Sequence, residues 1–125
     1  MLSRHFLGFL LAGLGGSLAL AGTPPEPWNA PYAEKTAALS LKGDIARGAA
    51  AFEICQGCHR AGALGRADGS YPRLAGQHAN VLVKQMADVR SGRRSNLKML
   101  PFADHQVLSV QDIADIAAYL QSLPV

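Results

Sequence analysis

Cysteine and aromatic residues are scarce in this chain of 125 residues. Two cysteines are too few for the disulfide framework of a small secreted domain, and too few for a zinc site with four thiolates. Four Phe, three Tyr and one Trp are a small supply of large side chains for a core, which suggests that another group fills its centre. A net charge of only +3 argues against the strongly basic face expected of a nucleic-acid-binding protein.

The first 21 residues have the pattern of a secretory signal peptide. Arg4 and His5 precede an uncharged run from Phe6 to Ala21, and the small residues Ala19 and Ala21 suit cleavage after Ala21. The run is shorter than the roughly 20 apolar residues that span a bilayer, and its glycines weaken it as a helix. We therefore predict export to the periplasm, with retention of the segment as a membrane anchor as the alternative.

The chain after the signal peptide divides into an extension and a domain. Residues 22–42 are predicted as a proline-rich N-terminal extension, because four prolines between Thr23 and Pro31 exclude regular structure there. Within the extension, residues 33–41 are expected to form a short helical turn. Residues 43–125 are predicted as the compact domain.

Three helices are predicted in the domain from apolar residues spaced three and four positions apart. Asp44 is expected to cap the first helix, and Ser109 with Asp112 forms a capping box at the start of the third. Glycine and proline residues between positions 57 and 76 predict a loop. No segment alternates between apolar and polar residues over enough positions for a sheet, so the predicted fold class is all-α. The predicted helices span 44–55, 79–91 and 109–123.

The chemistry of the chain is concentrated in Cys55-Gln56-Gly57-Cys58-His59. Cysteines three positions apart lie about one helical turn apart and project to the same side. Their thiols can form thioether bonds with the two vinyl groups of one haem, and the adjacent histidine is then held at the iron. The spacing predicts one covalently bound haem c, attached through Cys55 and Cys58, with His59 as an axial iron ligand.

Three other sites could use the same two cysteines. A thioredoxin-like dithiol needs a βαβ setting, which the pattern lacks, and has no use for the adjacent histidine. A zinc site needs two further ligands, and the candidates His78 and His105 are far apart in sequence with no second paired motif. A disulfide between the cysteines would close almost no loop and would stabilise the fold little. Covalent haem is therefore the favoured interpretation.

A methionine is expected as the sixth ligand of the iron, because a thioether is a soft ligand that favours ferrous iron. Met99 lies in the segment 95–101, which has no helical pattern, so it can reach the opposite face of the haem. Met86 lies on the inner face of a predicted helix, where methionine normally fills the core. Met99 is the predicted ligand, and Met86, His78, His105 or an open site are the alternatives.

Residues 43–123 resemble the class I c-type cytochromes, in particular the small bacterial electron carriers with one haem. The resemblance implies the class I cytochrome c fold, with helices packed around the haem. It also implies that the Pro72 carbonyl accepts a hydrogen bond from the far nitrogen of His59, and that Arg94 lies near a haem propionate. The sequence departs from the pattern at Val81, where many relatives carry an aromatic residue. The matching motifs are Gly48-Ala-Ala-Ala-Phe52, Cys-x-x-Cys-His, Tyr71-Pro-Arg-Leu-Ala-Gly-Gln77, Gly92-Arg-Arg94, Met99 and Asp115-Ile-Ala-Ala-Tyr-Leu120.

Protein ligands on both faces of the iron leave no vacancy for a substrate, so a soluble periplasmic electron carrier is predicted rather than an enzyme. The alternative is a haem subunit of a periplasmic oxidoreductase, acting on sulfur compounds or like a peroxidase, with an open or replaceable sixth ligand. A gas sensor would also need an open iron. The expected partners are redox proteins, and the sequence does not identify the donor or the acceptor.

A cluster of basic residues between positions 84 and 98 is a candidate docking surface for an acidic redox protein. Charge runs usually form a solvated face, which is the competing interpretation. The cluster comprises Lys84, Arg90, Arg93, Arg94 and Lys98.

Overall fold

The computed structural model describes residues 33–125; the predicted signal peptide, residues 1–21, and residues 22–32 of the extension lie outside the described residues. The described part is built from helices and contains no strand, which confirms the predicted all-α class. None of these helices is long and apolar enough to cross a membrane. The helices are α1 (Ala33–Ser40), α2 (Ile45–Ala51), α3 (Gln56–His59), α4 (Ala79–Arg90), α5 (Leu100–Ala103) and α6 (Val110–Ser122), with 3-10 turns at Phe52–Cys55 and Ala61–Ala63.

Helices α2 and α6 pack closely because a glycine lies at their contact. A Cβ atom added to Gly48 would overlap the carbonyl oxygen of Asp115 and would lie 2.8 Å from Cβ of Tyr119. The rings of Phe52 and Tyr119 lie 5.8 Å apart between centroids, and Phe52 is fully buried. Ile116 and Leu120 belong to the same buried cluster, so the first and last helices of the domain meet there.

A buried carboxylate joins the same two helices. Asp115 on α6 is 1% exposed and accepts hydrogen bonds from Nε and Nη2 of Arg47 at 2.7 and 3.0 Å. It also accepts bonds from the backbone N–H of Asp44 at 2.7 Å and from Nε2 of Gln111 at 2.8 Å. The hydrogen bonds from Arg47 outweigh the effect of burial and lower the pKa of Asp115 below its usual value.

Helix α1, from the extension, packs against α4 and α6. Ala38 is 1% exposed and lies in a cluster of buried apolar residues with Val83, Ile113 and Ala117. Residues 33–40 thus contribute to the core, although they precede the domain boundary predicted at residue 43. The boundary itself stays a prediction.

The structure differs from the sequence prediction at two places. The first predicted helix does not end near Cys55, because α3 continues the helical path to His59, and the chain leaves it at Arg60 with a φ of 70°. Burial of Cys55 and His59 outweighs the roughly 1 kcal/mol that Gly57 costs a helix. The segment after Met99 forms the single turn of α5, with Pro101 in its first turn, where proline is tolerated. The capping box of Ser109 and Asp112 is confirmed.

Candidate functional site

A cavity of about 590 Å³ lies inside the helical body. Its walls are largely apolar, with side chains from α4 and α6 such as Leu82, Val89, Ile116 and Leu120. All six site residues predicted from the sequence line this cavity. They are Cys55, Cys58, His59, Pro72, Arg94 and Met99.

The two cysteines lie on consecutive helical turns and both are free thiols. Cys55 is 7% exposed, and Cys58 is partly buried. Burial, with a smaller contribution from Cys58, raises the pKa of the Cys55 thiol to about 11. A thiol that stays protonated at neutral pH does not suit a thioredoxin-like dithiol, whose chemistry depends on a lowered thiol pKa.

His59 is fixed by one backbone carbonyl. Its Nδ1 lies 3.0 Å from the carbonyl oxygen of Pro72, and the residue is 7% exposed. Because a carbonyl can only accept, Nδ1 must carry the proton. In the neutral imidazole, a proton on Nδ1 leaves the lone pair on Nε2, which is the form that binds a metal ion.

The loop that presents Pro72 depends on Gly65. Gly65 has a φ of +68°, and a Cβ at this position would lie 2.5 Å from the backbone nitrogen of Arg73. Its N–H donates to the carbonyl of His59 at 2.9 Å, which ties the loop to the end of α3. The N–H of Leu74 donates to the carbonyl of Ala63 at 2.8 Å and closes the other side of the loop. Glycine thus permits the approach that brings Pro72 to His59.

Both methionines of the described chain reach the cavity. Met99 immediately precedes α5, and its N–H is 3.1 Å from both the carbonyl and the side-chain oxygen of Asn96. Met86 packs from α4 against both clusters of buried apolar residues. His78 and His105, the other ligands considered from the sequence, are exposed and do not line the cavity.

Several cations border the cavity. Arg94 donates to Oε1 of Gln85, and its backbone N–H donates to the carbonyl of Asp88 at 2.9 Å. Nζ of Lys98 lies 5.8 Å from the ring centroid of Tyr71. Val81, where the sequence departs from the class I pattern, also lines the cavity.

The sequence predicts that Arg90 belongs to the basic docking cluster, and the structure shows that this prediction is wrong. Its side chain is only 2% exposed, and it faces the interior of the fold. Lys84 is also partly withdrawn from solvent and pairs with Asp88, four residues later on α4. The basic surface at the cavity is therefore smaller than predicted. Of the five predicted cationic residues, those that line the cavity are Arg94 and Lys98.

Two thiols and an imidazole in Cys-x-x-Cys-His spacing at one apolar cavity are typical of proteins that attach haem through thioether bonds. A sequence model of the family described as cytochrome c matches residues 45–124. The chain therefore belongs to the cytochrome c family, whose cofactor is a covalently bound haem c with its iron.

Individual relatives agree with this assignment. Cytochrome c4 of Pseudomonas aeruginosa is 44% identical over 80 residues, which are 64% of this chain and 38% of that protein. The thiosulfate dehydrogenase electron acceptor of Stutzerimonas stutzeri is 44% identical over 70 residues, 56% of this chain and 32% of that protein. The matched regions thus span less than half the length of these two relatives.

A solved structure shows the same fold. The crystal structure of reduced recombinant cytochrome c4 from Pseudomonas stutzeri is similar to this chain with a TM-score of 0.56 and 28% sequence identity. The similarity covers 67% of this chain and 53% of that chain. The fold is accordingly that of cytochrome c, as the resemblance of the motifs implied.

The residues at the cavity fit haem c. Two thiols can form the covalent attachment, an imidazole and a thioether can supply axial ligands, and the apolar walls suit a porphyrin. This also accounts for the small number of aromatic residues in the core, since the cavity leaves the centre of the fold to another group.

Proposed function

We propose that this chain is a periplasmic carrier of single electrons and not an enzyme. The observation that carries the proposal is that the two thiols and the imidazole of the Cys-x-x-Cys-His segment line one apolar cavity together with the thioether of Met99, which comes from a separate segment of the chain. When bound, haem c supplies an iron that alternates between the ferrous and ferric states. The relative named as an electron acceptor of thiosulfate dehydrogenase is in keeping with this role.

Each candidate residue has a defined task in this proposal. Cys55 and Cys58 would hold the haem through thioether bonds. His59 would bind the iron through Nε2, while the hydrogen bond from Nδ1 to Pro72 fixes the ring and increases its basicity. Met99 would occupy the opposite axial position, and Arg94 would lie near a propionate.

The side chains around the cavity favour a carrier over an oxidoreductase subunit. Among residues 33–125, no Asp or Glu lines the cavity, and His59 is its one histidine. A peroxidase-like reaction needs a general acid–base group beside an open iron position. With His59 assigned to the iron, a second histidine or a carboxylate would have to supply that group.

The partners would be redox proteins with an acidic docking surface. Arg94 and Lys98 line the cavity, together with Arg73 from the loop that presents Pro72. We call these three residues the basic rim. Positive charge at the edge of the cofactor site would attract an acidic partner and would orient it for electron transfer. Export through residues 1–21 would place the protein in the periplasm.

The attachment of haem tests the proposal directly. The mature protein should be produced in a strain that matures c-type cytochromes and its mass determined after extraction with acid and organic solvent. We expect the mass of one haem per chain in the wild type and its loss in the Cys55→Ala, Cys58→Ala double variant. A wild-type mass without haem would overturn the proposal.

The spectrum and the redox behaviour of the same sample test the electron-carrier role. We expect a low-spin ferric form with the weak sulfur-to-iron charge-transfer band, reversible one-electron reduction and no rapid binding of carbon monoxide. A high-spin iron that binds carbon monoxide readily would instead support the oxidoreductase or the sensor.

A further inference from the structure

Arg90 lies at the C-terminal end of α4 and its side chain is buried. Its guanidinium group has four neighbours. Nε donates to the carbonyl of Ala103, and Nη2 donates to the carbonyl of Leu108 at 2.7 Å. Nη1 donates to Oε1 of Glu34 at 2.9 Å and lies 3.2 Å from Nδ1 of His105. The side chain is 2% exposed, so these groups replace water around the charge.

Two of these neighbours anchor the segment that follows Met99. Ala103 and Leu108 are both buried, at 0% and 3% exposure, on either side of the turn that joins α5 to α6. Because Arg90 binds both carbonyls, it attaches both ends of this turn to α4.

Ala103, the last residue of α5, is hydrogen-bonded to the backbone of Met99. The N–H of Ala103 donates to the carbonyl of Met99 at 3.1 Å, so the helix consists of one hydrogen-bonded turn. A single turn has little freedom to bend between its ends. The place of Met99 at the cavity therefore depends on the place of Ala103, which Arg90 holds.

The carboxylate that neutralises Arg90 comes from outside the family match. Glu34 lies on α1, which precedes residues 45–124, and its side chain is 18% exposed. Its second oxygen, Oε2, lies 3.6 Å from Nε2 of His105 in the turn after α5. The N-terminal extension thus reaches the same turn that Arg90 binds, and its carboxylate offsets the cost of burying the guanidinium.

We propose that Arg90 is a positioning residue for the iron ligand Met99, and that Glu34 of the N-terminal extension keeps Arg90 in place. The proposal rests on the proposed function, because it needs Met99 as the sixth ligand. Loss of these contacts should let the segment 99–108 open more often and release Met99 from its place at the cavity.

Arg90→Met tests the proposal in the haem-loaded protein. The substitution keeps an unbranched side chain at position 90 and removes every hydrogen-bond donor of the guanidinium group. Because azide competes with the methionine for the iron, its apparent affinity rises with the fraction of molecules in which Met99 is released. We expect binding of azide to become about tenfold tighter or more, and we expect the sulfur-to-iron band to weaken.

Arg47→Met is the matched control. It removes the arginine that binds the buried carboxylate Asp115, so it also breaks an arginine–carboxylate contact between helices, but away from Met99. We expect a lower denaturation midpoint with azide binding unchanged. Backbone amides of residues 99–108 should exchange hydrogen faster in Arg90→Met than in Arg47→Met.

Glu34→Gln provides a second variant that keeps an acceptor oxygen and removes only the charge. It should shift azide binding in the same direction as Arg90→Met by a smaller factor, and it carries the test if Arg90→Met does not fold. Wild-type azide affinity in Glu34→Gln, or equal effects of Arg90→Met and Arg47→Met, would overturn the positioning role.

The assignment of Met99 is checked separately in the same series. If Met99→Ala loses the sulfur-to-iron band while the Arg90 and Glu34 variants behave as wild type, the ligand assignment stands and the positioning role fails. If the wild type already lacks the band and binds azide as tightly as Met99→Ala, the ligand assignment fails and the positioning role fails with it.

Discussion

Gly48 on α2 lies directly against the carbonyl group of Asp115 on α6, so that a Cβ atom at position 48 would overlap the carbonyl oxygen. The atoms in the way belong to helix backbone, which cannot move aside as a flexible side chain can. The contact sets the distance between the helix that leads to Cys55 and the helix that supplies Ile116 and Leu120 to the cavity wall. Helix packing and the shape of the site thus depend on the same glycine.

Gly48→Ala should therefore destabilise the protein, because the added methyl group would push α2 and α6 apart. We expect a loss of about 1–3 kcal/mol in the free energy of unfolding, measured by denaturant titration. Gly57→Ala is the control, because a Cβ there meets nothing within 4 Å and should be tolerated. Equal stability of the two variants would show that the helices can separate without cost.

The buried carboxylate of Asp115 should make stability depend on pH. Its pKa in the folded protein is lowered from the usual value near 3.8, chiefly by the hydrogen bonds from Arg47. The charged form is therefore favoured by folding, and its contribution is fully present above the usual pKa and is lost as the pH falls through the lowered one. The wild type should lose stability below about pH 4.

Asp115→Asn should remove this part of the pH dependence. The amide cannot be charged, and its N–H₂ group would face donors from Arg47 and from the backbone of Asp44. We expect a loss of about 2 kcal/mol near neutral pH and a flatter stability profile between pH 2 and 4, measured by thermal unfolding of the haem-loaded protein. A profile as steep as that of the wild type would assign the acid sensitivity to other carboxylates.

Some of this structure could be predicted from the sequence because the responsible contacts are local. The capping box of Ser109 and Asp112 consists of hydrogen bonds between residues three positions apart, and apolar residues at helical spacing mark the rest of α6. The Cys-x-x-Cys-His segment is likewise local. Its spacing alone placed two thiols and an imidazole on one side of the chain.

Other features could not be predicted because their partners are distant in sequence or the element is too short. Arg90 reads as a surface charge beside Arg93 and Arg94, and its burial depends on groups 13, 18 and 56 positions away. The four residues of α5 contain barely one helical period, so no apolar pattern could mark them. The burial of Arg90 and the formation of α5 both depend on tertiary contacts.

Electron exchange should depend on the basic rim. Because exposed charges are screened over about 10 Å at 0.1 M salt, the rate of electron transfer with a native partner should fall as the ionic strength rises. Lys98→Gln should slow the reaction at low salt and should reduce its salt dependence. Lys42→Gln, which removes an exposed charge away from the cavity, should leave both unchanged. A rate that does not depend on the salt concentration would show that Arg94 and Lys98 are solvated surface charges that do not bind the partner.

Met99→Ala tests the sixth ligand. The haem should remain attached, because the cysteines and His59 are unchanged. The sulfur-to-iron band should disappear, the iron should bind carbon monoxide or azide, and the reduction potential should fall, because a thioether stabilises ferrous iron more than water does. Absorption spectra and a redox titration of the purified variant measure all three.

Met86→Leu is the control that distinguishes the two methionines at the cavity. Met86 packs against both clusters of buried apolar residues, so a leucine of similar volume should cost less than about 1.5 kcal/mol. The band and the potential should stay as in the wild type. If Met86→Leu abolishes the band and Met99→Ala keeps it, the ligand comes from α4, and the segment held by Arg90 has no part in binding the iron.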